Sequence, residues 1–274
     1  MASIYTHHRF GLQLVSRLSE PYQRIVQHNP TLYLLGQQGP DIFFFILSTY
    51  HDPDAPGTVI HNQSGKSFID KVAPIILEKG KISVESSYFL GCICHFLLDA
   101  TIHPLVDGFE DVPIYNHSDI ETELDRYALS LDGIEPTRMN LSRLLPKDRR
   151  IPKRIYPVYS GYPDISEDLI AKGIRGFALF KTLLYAPNRV REQLLHLVLK
   201  WLGVGTDITG HVMRQKPFAR AKLSNPPLIE RIEVLMEQAP ALIENAYDYI
   251  FNDVPLKDIY MKNFNGVPVE PTGE

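Results

Sequence analysis

The chain has little cysteine, a single tryptophan and no surplus of positive charge. Its two cysteines, Cys92 and Cys94, lie two residues apart, a spacing that does not put them on one helix face. They form neither a disulfide framework nor a CxxC pair, so cysteine usage does not require an oxidising compartment. A formal charge of −4 leaves no basic field to hold a nucleic-acid backbone. This argues against a dedicated nucleic-acid-binding surface, while an enzyme acting on a phosphodiester stays open. The opening MASIYTHHRFG lacks the basic and then apolar regions of a signal peptide. Residues 42–47 are too short to span a bilayer, and the apolar stretch 88–98 carries His95 with Asp99 just beyond it. No transmembrane helix is therefore expected, and the expected address is cytoplasmic.

Alternating strand patterns are also nearly absent, as are internal repeats and low-complexity tracts. What remains is 274 residues, 44% apolar and 22% charged, enough for a substantial core. Apolar periodicity predicts helices over residues 10–18, 29–47 (interrupted around 36–40), 67–78, 84–102, 119–131, 166–184, 187–202 and 227–251. Pro74 weakens the middle of 67–78. Residues 84–102 are apolar nearly all round, the pattern of a central buried helix. Residues 119–131 open with acids, as helix starts prefer. Rich in Pro, Arg and Lys with little periodicity, residues 135–162 predict a long surface connection. The expected fold is all-α.

Eight of the ten histidines fall between His7 and His117. The densest run is His95-x3-Asp99-x3-His103-Pro104. Residues four apart share a helix face, so His95 and Asp99 point the same way from a greasy helix. Pro104 disfavours helical geometry at His103, which predicts a helix end there. A buried Asp needs a partner or a metal, and a core His–Asp hydrogen bond satisfies that need as well as a metal does. His117 and Glu121 repeat the spacing at the next helix start. Two consecutive helices presenting His/carboxylate pairs is how helical bundles build metal centres, and nitrogen with carboxylate oxygen suits Zn²⁺. Weaker candidates surround them. Asp41 reads alone as a helix N-cap, His61 as a surface loop residue, and His7 and His8 as unremarkable. His28, His51, His196 and His211 lack partner spacing and read as structural. Asp52 and Asp54 beside His51 read as a solvated acidic turn.

In order, Thr6-His7…Phe10-Gly11, Leu35-Gly36…Gly39-Pro40-Asp41, His61, Gly91…His95-x3-Asp99-x3-His103-Pro104 and His117-x3-Glu121 resemble the zinc-dependent phospholipase C family. That family is related to the S1/P1-type nucleases, and the likeness covers about residues 5–127. It implies an all-α fold with a trinuclear zinc centre that hydrolyses phosphodiesters. By position, Asp41, His61, His95 and Asp99 would hold the first zinc, with Asp41 also the candidate base. His103, His117 and Glu121 would hold the second. Asp99 would bridge to a third, which His7 also binds; the threonine before His7 and the Phe-Gly after it favour it over His8. Residues 1–134 then form the metal-site half, and 135–274 a packing or lid half of the same domain. One departure stands out. In the secreted enzymes an N-terminal tryptophan ligates the third zinc, whereas the sole tryptophan here is Trp201. The Ala2 amine is the candidate substitute, and the expected content is two or three zinc ions.

The leading expectation is a zinc hydrolase of phosphodiesters, phospholipase C-like, with a phospholipid among possible substrates. A nuclease or small-molecule phosphodiesterase could use the same centre; the run Phe43 to Phe45 and the tyrosines could serve base stacking or a choline headgroup, though core packing accounts for most of them. A non-catalytic, zinc-stabilised helical protein is the third reading; its metal site would be coordinatively closed.

Overall fold

A computed structural model of the chain describes residues 3–46, 52–112 and 114–270. Its α-helices are α1 (Ile4–Leu14), α2 (Glu20–His28), α3 (Pro30–Gly36), α4 (Pro56–Asn62), α5 (Gly65–Lys79), α6 (Val84–Phe109), α7 (His117–Leu131), α8 (Ile151–Ile155), α9 (Glu167–Leu183), α10 (Arg189–Trp201), α11 (Thr206–Thr209) and α12 (Ala221–Asn252). Extended backbone pairs only in isolated bridges among the described residues, so the fold is all-α.

Many helix starts were written locally. Asn29, Ser64, Ser83, Ser166 and Asn188 each accept a backbone N–H of the first turn that follows, satisfying donors that a helix start leaves unpaired. Asn116 and Asp119 form a reciprocal capping box, which starts α7 at His117 rather than at residue 119.

α6 is the axis of the molecule. An 18-residue window of it has mean hydropathy 1.6, long and apolar enough by composition to cross a membrane, yet 83% of that window is buried inside the protein. α3 and α12 cover much of it. The crossing with α3 runs through Gly36 and Gly91. A Cβ on Gly91 would stand 2.2 Å from the Tyr33 carbonyl, and one on Gly36 2.3 Å from that of Tyr88, so the two backbones meet with no room for side chains.

Three expectations are corrected. The helix does not end at His103: α6 continues through Pro104 to Phe109. Proline removes one helical hydrogen bond, and buried Ile102 and Val106 hold the turn together around it. α1 begins at Ile4, well before residue 10, because a residue far away in sequence caps it, as described below. Residues 135–162 are not a surface connection. Short proline-punctuated turns and α8 bury Ile151, Ile155, Val158 and Tyr159, and such brief elements leave no readable period. The span 29–47 divides into α3 and a 3-10 stretch, Gly39–Phe45; Leu47 lies outside the described residues. One apolar core takes residues from Ile4 to Phe264, so both halves of the chain share it.

Candidate metal centre

Asp41 is placed by backbone rather than by a helix cap. Gly39 before it has φ +46°, and a Cβ there would come 2.3 Å from the His95 ring. Only glycine meets both demands. The Gly39 carbonyl accepts from the Tyr159 hydroxyl at 3.4 Å, so the segment expected on the surface braces the turn that carries Asp41.

Around Asp41 gather His61 from α4, and His95 and Asp99 from α6, all four buried. His61 Nε2 is 2.8 Å from Asp41 Oδ1 and 3.9 Å from Asp99 Oδ2. His95 Nε2 is 3.8 Å from Asp41 Oδ1 and 3.2 Å from Asp99 Oδ2. The other ring nitrogens face carbonyls: His61 Nδ1 is 2.8 Å from Gly57 O and His95 Nδ1 3.1 Å from Gln37 O. A carbonyl only accepts, so each Nδ1 carries the proton and each Nε2 offers a lone pair.

A second group, His103, His117 and Glu121, closes between α6 and α7. His103 Nε2 is 3.7 Å and His117 Nε2 3.5 Å from Glu121 Oε1. His117 turns its Nδ1 to Glu110 at 3.2 Å and Asp107 at 3.4 Å, a carboxylate–histidine arrangement that orients a ligating imidazole. Asp99 joins the groups. Its Oδ2 faces His95, while its Oδ1 faces His7 Nε2 at 3.0 Å and His103 Nε2 at 3.7 Å. His7 is fully buried, whereas His8 is half-buried with its ring 6.5 Å from that of Tyr5.

The polar atoms turned toward one another have no hydrogen-bond partner outside the cluster. Both Asp41 oxygens, Asp99 Oδ1 and the Nε2 atoms of His7, His61, His95, His103 and His117 are buried and face only one another. Such atoms cost on the order of 1–3 kcal/mol each when truly unpartnered. Lone pair facing lone pair is unfavourable unless a cation lies between. Tetrahedral zinc with bonds of about 2.0–2.1 Å sets its ligand atoms roughly 3.3 Å apart, and the N···O separations of 2.8 to 3.9 Å bracket that value. The donor set fits zinc. With no metal between them, burial pushes the Asp99 carboxyl up, but protonated His95, His103 and His7 hold it well below the usual carboxylate range. Burial likewise opposes ionisation of Asp41, and His95 and His61 outweigh it.

Residues 6–171 match the family described as zinc dependent phospholipase C. The chain belongs to that family. No curated protein and no solved structure matches it at a comparable level.

All eight ligand-type residues singled out in this family member thus converge in space. Ala2, the candidate substitute ligand, lies outside the described residues, as does His51. His28 is exposed at the end of α2. The Asp52 carboxylate accepts from Asp54 N at 2.9 Å in an exposed turn. His211 is buried, its Nε2 3.4 Å from the Ser118 hydroxyl and its ring edge-on to Phe180. Asp107, Glu110 and Asp125 escaped the sequence reading. Asp125 stands one turn beyond Glu121 on the same face of α7, a spacing that could have pointed to it. Its carboxylate accepts from Tyr5 N at 3.1 Å, Thr6 N at 2.8 Å and the Thr6 hydroxyl at 2.9 Å. It thereby caps α1 and presents His7 to Asp99. Burial pushes the Asp125 carboxyl up to about 6, with buried Lys181 opposing.

Proposed function

We propose that the protein is a zinc-dependent hydrolase of phosphodiesters, with phospholipids among its substrates, and that Asp41 is its general base. The observation that supports this most is the sharing of Asp99 between two buried ligand groups. One carboxylate oxygen faces His95 and the other His7 and His103, a layout suited to neighbouring ions. Asp41, His61, His95 and Asp99 would hold the first, His103, His117 and Glu121 the second, and Asp99 with His7 a third. Zinc supplies polarisation of phosphoryl oxygens and a water acidified toward a pKa of about 7.

The chain's own residues do the rest. Asp41 has two buried oxygens with no hydrogen-bond partner outside the ligand cluster, so one can take up a proton from the attacking water while the other stays engaged. Gly57 and Gln37 lock the tautomers of the His61 and His95 imidazoles through their carbonyls. His117, with its side chain 28% exposed against 8% or less for the other seven, marks the approach from solvent. Of the run Phe43 to Phe45, the outer two are buried, while Phe44 is partly exposed with its ring 4.7 Å from that of His61, so one aromatic stands beside the candidate centre. Elemental analysis of protein purified without chelator should give two or three zinc ions per chain. The same sample should hydrolyse at least one member of a phosphodiester panel. A zinc content near zero that added zinc does not restore rejects the proposal, and a fully loaded but inert protein favours the non-catalytic reading.

A further inference from the structure

The face of α10 turned away from the protein is apolar. Val190, Leu194, Leu197 and Trp201 recur at helical spacing and are 77%, 57%, 65% and 83% exposed, with Val198 and Leu202 beside them at 42% and 58%. The opposite face is the one that packs: Leu195 and Leu199 lie on Leu184, Ala186 and Val212. Core packing explains the inner face and leaves the outer stripe unexplained. Contiguous exposed apolar surface of this kind marks an interaction site.

Charge says what covers it. At 3.6 residues per turn, Arg191 borders the stripe on one side and Arg189 and Lys200 border it on the other, all three exposed. The Arg191 Nε donates to the Tyr185 carbonyl at 2.6 Å, which fixes its stem along the helix. The one acid of α10, Glu192, turns inward and accepts from Gln215 N at 3.0 Å. An apolar stripe with cations on both shoulders and a tryptophan at one end is the pattern of a helix lying in a lipid interface. A second copy of the chain would bring these like charges together.

We propose that α10 docks the protein on an anionic phospholipid bilayer, the stripe entering the acyl boundary and Arg189, Arg191 and Lys200 meeting lipid phosphates. Its position suits that role. His211, in the segment after α10, touches Ser118 in the first turn of α7, and His196 of α10 lies within electrostatic reach of Asp119 in the same turn. That turn begins with His117, the most exposed side chain of the candidate centre. That docking delivers substrate rests on the hydrolase reading above; the docking itself does not.

The single tryptophan reports insertion directly. Full-length, metal-loaded protein is titrated with phosphatidylcholine vesicles carrying about one-third phosphatidylserine, and with phosphatidylcholine alone. The expected result is a blue shift of Trp201 emission and co-sedimentation with the anionic vesicles, weaker without phosphatidylserine. The double variant Leu194→Glu/Leu197→Glu should bind about tenfold less or worse. Arg189→Gln/Arg191→Gln/Lys200→Gln should lose on the order of 10²-fold at low salt, about fivefold per cation. Both sets change exposed positions, and circular dichroism checks that helicity is kept. Unshifted emission without sedimentation overturns the proposal, as does binding that neither variant weakens. Self-association that Leu194→Glu/Leu197→Glu abolishes overturns it in favour of a second copy. None of these readouts needs turnover. Vesicle binding by a protein inert toward every soluble short-chain phosphodiester upholds the docking and rejects the hydrolase reading.

Discussion

In the proposed mechanism Asp41 has two separable roles, as a ligand and as a proton acceptor, and one substitution tells them apart. Asparagine keeps the shape and one carbonyl oxygen but cannot take a proton to become a neutral acid. With His61, His95 and Asp99 still converging, Asp41→Asn should retain most of its zinc and melt near the wild-type temperature. Turnover of a phosphodiester should fall by about 10²-fold or more. Near-wild-type turnover in the loaded variant rejects Asp41 as the base. At this scale the sequence was informative, because residue type and i, i+4 spacing are local: His95, Asp99, His117 and Glu121 could be paired on paper. Gly39 shows where that stops. Its need comes from a positive φ and from the His95 ring pressing where a Cβ would be, and neither is visible in a one-dimensional pattern.

Helix boundaries were legible where the cap is a neighbour and illegible where it comes from afar. Asn116 and Asp119 announce α7. Ser3 makes no side-chain cap for α1; Asp125, on a helix far along the chain, does that work. Pro104 misled for the converse reason, since burial of the surrounding turn outweighs a single missing hydrogen bond. The Asp125 clasp is testable. Asp125→Ala strands two backbone donors and a hydroxyl in a buried place, so urea denaturation should show a loss of about 3 kcal/mol or more. Because the same turn carries His7, zinc content should fall as well, by at most the ion that His7 shares. Unchanged stability would mean that α1 needs no tertiary cap.

Across the whole molecule, the candidate centre draws on α1, the Asp41 turn, α4, α6 and α7, so bound metal would tie distant segments of the chain together. Chelation should therefore lower the melting temperature by roughly 5 °C or more, with recovery on adding zinc; a melting curve indifferent to chelator would mean that the fold is complete without it. Apolar periodicity was enough to give the all-α class, and the eight ligand-type residues could be ordered along the chain. The sharing of one core between front and rear halves was out of reach, because it depends on which faces meet. One consequence of that sharing concerns synthesis. α6 is covered in part by α12, which leaves the ribosome more than a hundred residues later. Until then, an apolar rod that passes the length and hydropathy test for a membrane span has one flank bare. A nascent or truncated chain is thus most prone to aggregate, and most dependent on chaperones, in the interval between those two helices.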